Sequence, residues 1–184
     1  MKKIYSLILA ASLLCATNSF AQLTGTKNIP GDYSDLTTAI ADLNTQGVGA
    51  GGVVFNIIAG NPQTAPAGGY VIGNTGSAIL SGPNATSSSN PVTIQGNGNT
   101  ITAFTPQVAG TLTDAVIKLV GADWITITGC SIQENASNTT TAAASNNMTE
   151  WGIALLYVTT TDGSQNNTVQ GNTITLNRTY TNSF

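Results

Sequence analysis

The chain has 184 residues, of which 41% are hydrophobic and only 7% charged; it contains no histidine and carries a formal net charge of −3. Five basic side chains are too few to neutralise many phosphates, which argues against nucleic acid or an anionic membrane surface as a partner. The missing histidine excludes Ser-His-Asp and Cys-His sites, while few charges beside ample Thr, Ile and Val point to a buried β core rather than a disordered polar chain.

Lys2 and Lys3 followed by the apolar run Ile4 to Ala16 and the small residues around Ser19-Phe20-Ala21 predict a secretory signal peptide over 1–21, cut before Gln22. Leu14 stands where a lipoprotein signal needs a small residue, which disfavours lipidation of Cys15. Cleavage leaves three basic residues, Lys27, Lys118 and Arg178, and one cysteine, Cys130, so no intramolecular disulfide forms. Residues 22–52 are expected to hold an N-terminal segment and one helix. Leu36, Ala39, Ile40 and Leu43 recur at helical spacing, Ser34 or Asp32 is expected as N-cap, and Gly47 as the stop. The glycine-rich 47–52 predicts a flexible turn into a buried strand, Val53 to Ile58.

From there to residue 184 the pattern predicts short strands and turns. Tyr70-Val71-Ile72, Val92-Thr93-Ile94, Val116 to Val120, Trp124 to Ile127 and Gly152 to Val158 read as strands; Ser81 to Pro91 and Glu134 to Glu150 read as loops, and Asp162-Gly163 as a hairpin-type turn. A phrase also repeats. Thr168-Val169-Gln170-Gly171-Asn172-Thr173-Ile174 matches Thr126-Ile127-Thr128-Gly129-Cys130-Ser131-Ile132, and a copy at Thr93 to Thr102 carries two extra residues. Repetition on this scale predicts an all-β, right-handed parallel β-helix, or solenoid, in which Ile points inward and loops leave one corner. Aligning Gly96-Asn97 with Gly129-Cys130 and Gly171-Asn172 predicts a structural ladder of Asn97, Cys130 and Asn172 at one corner, with Cys130 as a buried structural thiol.

The opening Ile29-Pro30-Gly31-Asp32-Tyr33-Ser34-Asp35-Leu36-Thr37-Thr38-Ala39-Ile40, the strand after it and Pro91-Val92-Thr93-Ile94-Gln95-Gly96 resemble the N-terminal part of β-helix proteins of the pectin-lyase-like superfamily, pectinesterases in particular. The resemblance implies that the helix is a capping helix over one end of the coils; no equivalent cap is read after Asn177, so the chain is expected to be an N-terminal fragment whose coils continue, the alternative being that a partner or a second copy covers that end.

Enzymes of that superfamily imply clustered aspartates with an arginine, or acidic calcium ligands with a base. Asp114, Asp123, Glu134, Glu150 and Asp162 form no such motif in the sequence, and no cofactor or metal is expected. Trp151, Glu150 and Asp123 are the candidate glycan contacts: an exposed indole stacks on a sugar ring, and a carboxylate accepts its hydroxyls. Each also has an ordinary structural role open to it, as a packed aromatic or a turn residue. The expected function is a secreted or cell-surface module of a Gram-negative bacterium with a structural, adhesive or glycan-binding role and a polysaccharide as partner. The alternative is the N-terminal part of a pectinesterase-like or lyase-like enzyme whose catalytic residues lie further along the coils.

Overall fold

The computed structural model of the protein describes residues 22–108, 114–140 and 147–177. The expected signal peptide, Arg178 and the residues after it lie outside these ranges. Strand β1, Leu23–Ile29, comes first and was not expected from the sequence. Helix α1, Leu36–Gln46, buries Leu36, Ala39, Ile40 and Leu43 on one side, as their spacing predicts. Its N-cap is Asp35 rather than Ser34 or Asp32. The extended Asp35 backbone lets its carboxylate accept the Thr38 amide at 2.8 Å, while Asp32 instead accepts the Asn28 amide at 2.7 Å. Gly47 ends the helix at φ 72°, its N–H bonded to the Leu43 carbonyl at 2.9 Å.

The glycine-rich segment after the helix is not a flexible turn. It opens strand β2, Val48–Ile57, which runs across the expected boundary at residue 52. Gly49 and Gly52 serve close approach, a Cβ on Gly52 standing 2.2 Å from the Pro91 carbonyl oxygen, whereas Gly51 has open space and φ +88°.

Among the described residues eleven further strands follow: β3 (Gln63–Thr64), β4 (Tyr70–Gly73), β5 (Val92–Gln95), β6 (Thr100–Thr102), β7 (Ala115–Val120), β8 (Ile125–Thr128), β9 (Ser131–Gln133), β10 (Trp151–Thr159), β11 (Asp162–Gly163), β12 (Thr168–Gln170) and β13 (Thr173–Thr175). They form three sheets, ordered β1-β2-β5-β8-β12, β3-β6-β9-β13 and β4-β7-β10-β11. Every pairing is parallel except β10 with β11, so Asp162 and Gly163 are the return strand of a hairpin and not its turn. The chain visits the sheets in the same order on each pass, an arrangement compatible with the expected β-helix.

Register explains the core. Phe55, Ile94 and Ile127 are partners in the first sheet, Ile101 and Ile132 in the second, Ile72 and Leu119 in the third, and all are fully buried. Each such side chain contributes roughly 1.5–3 kcal/mol on leaving water. The second sheet departs from this at Gln63, which shares register with Ile101. Its amide is fully used: Oε1 accepts the Leu36 amide at 2.9 Å, and Nε2 donates to the carbonyls of Asn61 and Pro62 at 3.1 and 3.2 Å. A core glutamine thus satisfies an orphan donor of the first turn of α1.

Helix α1 also covers a sheet edge. Asn44 donates to the Val71 carbonyl at 2.8 Å and accepts the Gly73 amide at 2.9 Å, which occupies the outer edge of β4 with a side-chain amide in place of another strand.

Candidate functional site

The turns between the first and second sheets are short, two residues at Gly129-Cys130 and Gly171-Asn172. Those between the second and third lengthen along the stack, to 103–114 and 134–150, while the connection 74–91 joins the third sheet to the first, so the large loops leave two corners and not the expected one. Beneath 103–114 and 134–150 lies a polar network absent from the sequence expectations. Glu134 Oε1 accepts the Asn135 amide at 3.0 Å, Asn138 Nδ2 at 2.8 Å and the Thr149 hydroxyl at 2.8 Å; Oε2 accepts the Thr149 amide at 2.8 Å. Gln107 of the preceding pass donates to the Thr149 hydroxyl at 3.1 Å. Glu134 thus ties the two ends of its own loop together, and Gln107 joins that loop to 103–114 through the Thr149 hydroxyl. The only sequence cue is that Glu134 and Thr149 bracket the polar insertion.

Trp151 and Glu150 sit at this corner, where the amides of both donate to the Asp114 carbonyl, at 3.0 and 3.1 Å. Trp151 is 45% exposed, whereas Glu150 is buried, leaving the indole as the accessible member of the pair. Asp114 is buried as well, and burial pushes its carboxyl above the usual range, against the opposing pull of Lys118 and the Val108 amide. A groove of about 400 Å³ runs beside the loop base, lined by Gln133, Glu134, Asn135, Thr175, Leu176 and Asn177.

Asp123 is not part of this corner. It follows β7, whereas Trp151 pairs with Ala115 at the start of β7, which separates them by about 20 Å of strand. The Asp123 carboxylate accepts the Gln165 amide at 2.5 Å, and next to it Asn167 accepts the Ile125 amide and donates to the Ala122 carbonyl, both at 2.8 Å. This corner is stitched to the following pass by side chains that mimic backbone.

The three ladder residues are also divided. Asn172 accepts the Cys130 amide at 2.9 Å and donates to the Ile127 carbonyl at 2.8 Å. Two passes earlier, level with Cys130 in the pass between, the corresponding place holds Asn99, buried beside β6, which accepts the Asn61 amide at 2.7 Å and donates to the Ile58 carbonyl at 3.0 Å. Asn97 is exposed and belongs to a second, outer ladder, donating to Asn56 at 2.8 Å, which in turn donates to Asn28 at 2.8 Å. Cys130 is buried and free, its Sγ 3.6 Å from the Thr128 carbonyl oxygen, and burial pushes its thiol up to about 11.

Among the described residues no group of three or more His, Cys, Asp or Glu side chains is placed to hold a metal ion, and no helix is long and apolar enough to cross a membrane. Comparison of the chain with protein-family models, with curated proteins and with solved structures gives no match.

Proposed function

We propose that the chain is an exported module built as a right-handed parallel β-helix of the pectin-lyase-like kind, with a leader over 1–21 and a structural, adhesive or glycan-binding role at the surface of a Gram-negative cell. The supporting observation is one corner between the second and third sheets: the loops 103–114 and 134–150 leave it, Glu134 ties the ends of the second and Gln107 joins the two, and the half-exposed Trp151 follows. Uncharged Thr and Asn around them supply hydroxyl and amide groups suited to a neutral polysaccharide, and Trp151 supplies an apolar face for a sugar ring. Glu150 and Asp123 contribute less to such a contact, the first being buried and the second engaged by Gln165. The pectinesterase-like opening from Ile29 to Ile40 favours a second reading, the N-terminal part of a carbohydrate-active enzyme whose catalytic residues lie on further coils.

Titration of the chain and of Trp151→Ala with a panel of soluble polysaccharides, read by calorimetry, tests the glycan role. Saturable binding that Trp151→Ala weakens about tenfold is the expected result, an indole–sugar stack being worth on the order of 1 kcal/mol. Binding that Trp151→Ala leaves unchanged, or none to any member of the panel, counts against it.

A further inference from the structure

The Glu134 network brings a hydroxyl, a carboxylate and a carboxamide together out of water. Thr149 and Gln107 are both buried, and the Thr149 hydroxyl stands between the other two groups: it donates to Glu134 Oε1 at 2.8 Å and accepts from Gln107 Nε2 at 3.1 Å. The Thr149 amide donates to Glu134 Oε2 at 2.8 Å, which fixes the carboxylate against the same residue, so the hydroxyl proton already points at a base. Gln107 Cδ lies one C–N bond beyond Nε2, which places it at most about 4.4 Å from the Thr149 oxygen, within about 1 Å of attack distance. Gln63, the other buried glutamine among the described residues, meets only backbone groups.

We propose that the chain is its own substrate here: Thr149 and Gln107 condense to an ester that covalently joins the loop 134–150 to the loop 103–114. Glu134 takes the hydroxyl proton as Thr149 Oγ1 attacks Gln107 Cδ. The Cδ–Nε2 bond of the tetrahedral adduct then breaks, and the same proton passes from Glu134 to the departing nitrogen, which leaves as ammonia. One C–O bond replaces one C–N bond, so no oxidant or reductant is needed, and protonation and dilution of the released ammonia in neutral water draw the exchange forward. A carboxylate carrying four donors is a weak base. The reaction happens once per chain, however, so a slow step between groups held at high effective concentration suffices. Burial excludes the water that would hydrolyse the product. The bond closes 42 residues and ties consecutive passes, taking the place of a disulfide in a chain whose Cys130 is free. The inference is independent of the glycan role.

Trypsin supplies the test, because Lys118 falls between Gln107 and Thr149, and Lys118 is the only Lys or Arg between Lys27 and Arg178. The full chain, folded and stored at neutral pH, is denatured, digested and weighed by mass spectrometry. The expected result is that segments 28–118 and 119–178 travel as one species, lighter than their sum by one ammonia, whose fragmentation joins Gln107 to Thr149 and which hydroxylamine, a nucleophile that cleaves esters, separates. Glu134→Gln should abolish the joined species and Thr149→Ser retain it, each with the circular dichroism of the parent chain. Two separate segments from the parent chain overturn the proposal. That holds also where one segment alone has lost ammonia, by cyclisation at an N-terminal Gln22 or at Asn97-Gly98. Joined segments in Glu134→Gln overturn the assignment of Glu134 as the base.

Discussion

The Cys130 amide donates to Oδ1 of Asn172 at 2.9 Å across 42 residues of sequence, one strand spacing apart. The same asparagine donates to the Ile127 carbonyl at 2.8 Å, so one side chain satisfies two backbone groups of the preceding pass. Asn172→Ala leaves both groups without that partner and is expected to destabilise the chain by about 1–2 kcal/mol in denaturant unfolding, Asn172 being only half-buried. Asn172→Asp, which keeps the acceptor and loses the donor, should fall between the two.

Burial raises the Cys130 thiol to about 11, and no histidine exists in the chain to offset this. With Cys15 replaced by serine, the folded chain should therefore react with a thiol reagent at about pH 8 only through unfolding, at a rate that rises with denaturant. A native-state rate like that of a free cysteine would show that the thiol is accessible.

Gly96 and Gly98 make opposite demands, which a pair of alanine substitutions separates. A Cβ on Gly96 would stand 2.6 Å from both Cys130 Sγ and the Gly129 carbonyl oxygen, so Gly96→Ala forces a backbone shift and should destabilise by about 1–3 kcal/mol. Gly98 has open space but φ +76°, and Gly98→Ala should lose only about 1 kcal/mol, the cost of a left-handed conformation. Cys130→Ala should rescue part of the Gly96→Ala loss and none of the Gly98→Ala loss, as measured by thermal unfolding.

The Asp35 carboxyl is held below its usual range, chiefly by the Thr38 amide it caps. A carboxylate favoured in the folded state contributes stability above its unfolded value, near pH 3.9, and that contribution disappears as pH falls through the lower folded value. Asp35→Ala should cost about 1 kcal/mol at neutral pH, and progressively less in acid. Asp35→Asn retains the cap and should lose the pH dependence.

Asp114 has the opposite sign. Burial raises its carboxyl, so the folded chain holds this proton to higher pH than the unfolded chain does. Its contribution is most favourable below the unfolded value near pH 3.9 and is lost as pH rises through the folded one. Asp114→Asn, which removes the titrating group, should show a smaller fall in stability between about pH 4 and pH 7 than the parent chain in matched denaturant titrations.

The helix, most of the strands and the parallel stacking of the repeats were legible in the sequence because each depends on local periodicity or on a recurring phrase. The corner ladder was misassigned for a specific reason. Gln95-Gly96-Asn97-Gly98-Asn99 contains two Gly-Asn pairs, and nothing local distinguishes them. Register does: Thr100 pairs with Ser131, which sets Gly98-Asn99 level with Gly129-Cys130 and turns Gly96-Asn97 into the insertion. β1 escaped notice because Leu23–Ile29 alternates weakly and gains its strand character from pairing with β2. The same holds for Gly49 and Gly52 of β2, where the partner that approaches closely comes from elsewhere in the sequence. At the loop corner, Trp151 and Glu150 were legible as residues but not as one exposed and one buried. The Glu134 network was hidden, since Asn138 and Thr149 stand 4 and 15 residues away within the polar insertion and Gln107, which bonds to Thr149, comes from the preceding pass.

The parallel in-register stacking of the repeat is the foundation of every reading above, and a disulfide test addresses it most directly. With Cys15 and Cys130 replaced by serine, cysteines are placed at Thr126 and Thr168, which are register partners facing the same side of adjacent parallel strands. Their Cα atoms lie about 4.8 Å apart, within reach of a disulfide, whereas Thr126 and Gln170 are offset by two residues and lie beyond about 7 Å. The Thr126→Cys, Thr168→Cys chain should oxidise nearly completely under mild conditions while the Thr126→Cys, Gln170→Cys chain stays reduced. Equal oxidation of both, or preference for the offset pair, would contradict the stacking and the account built on it.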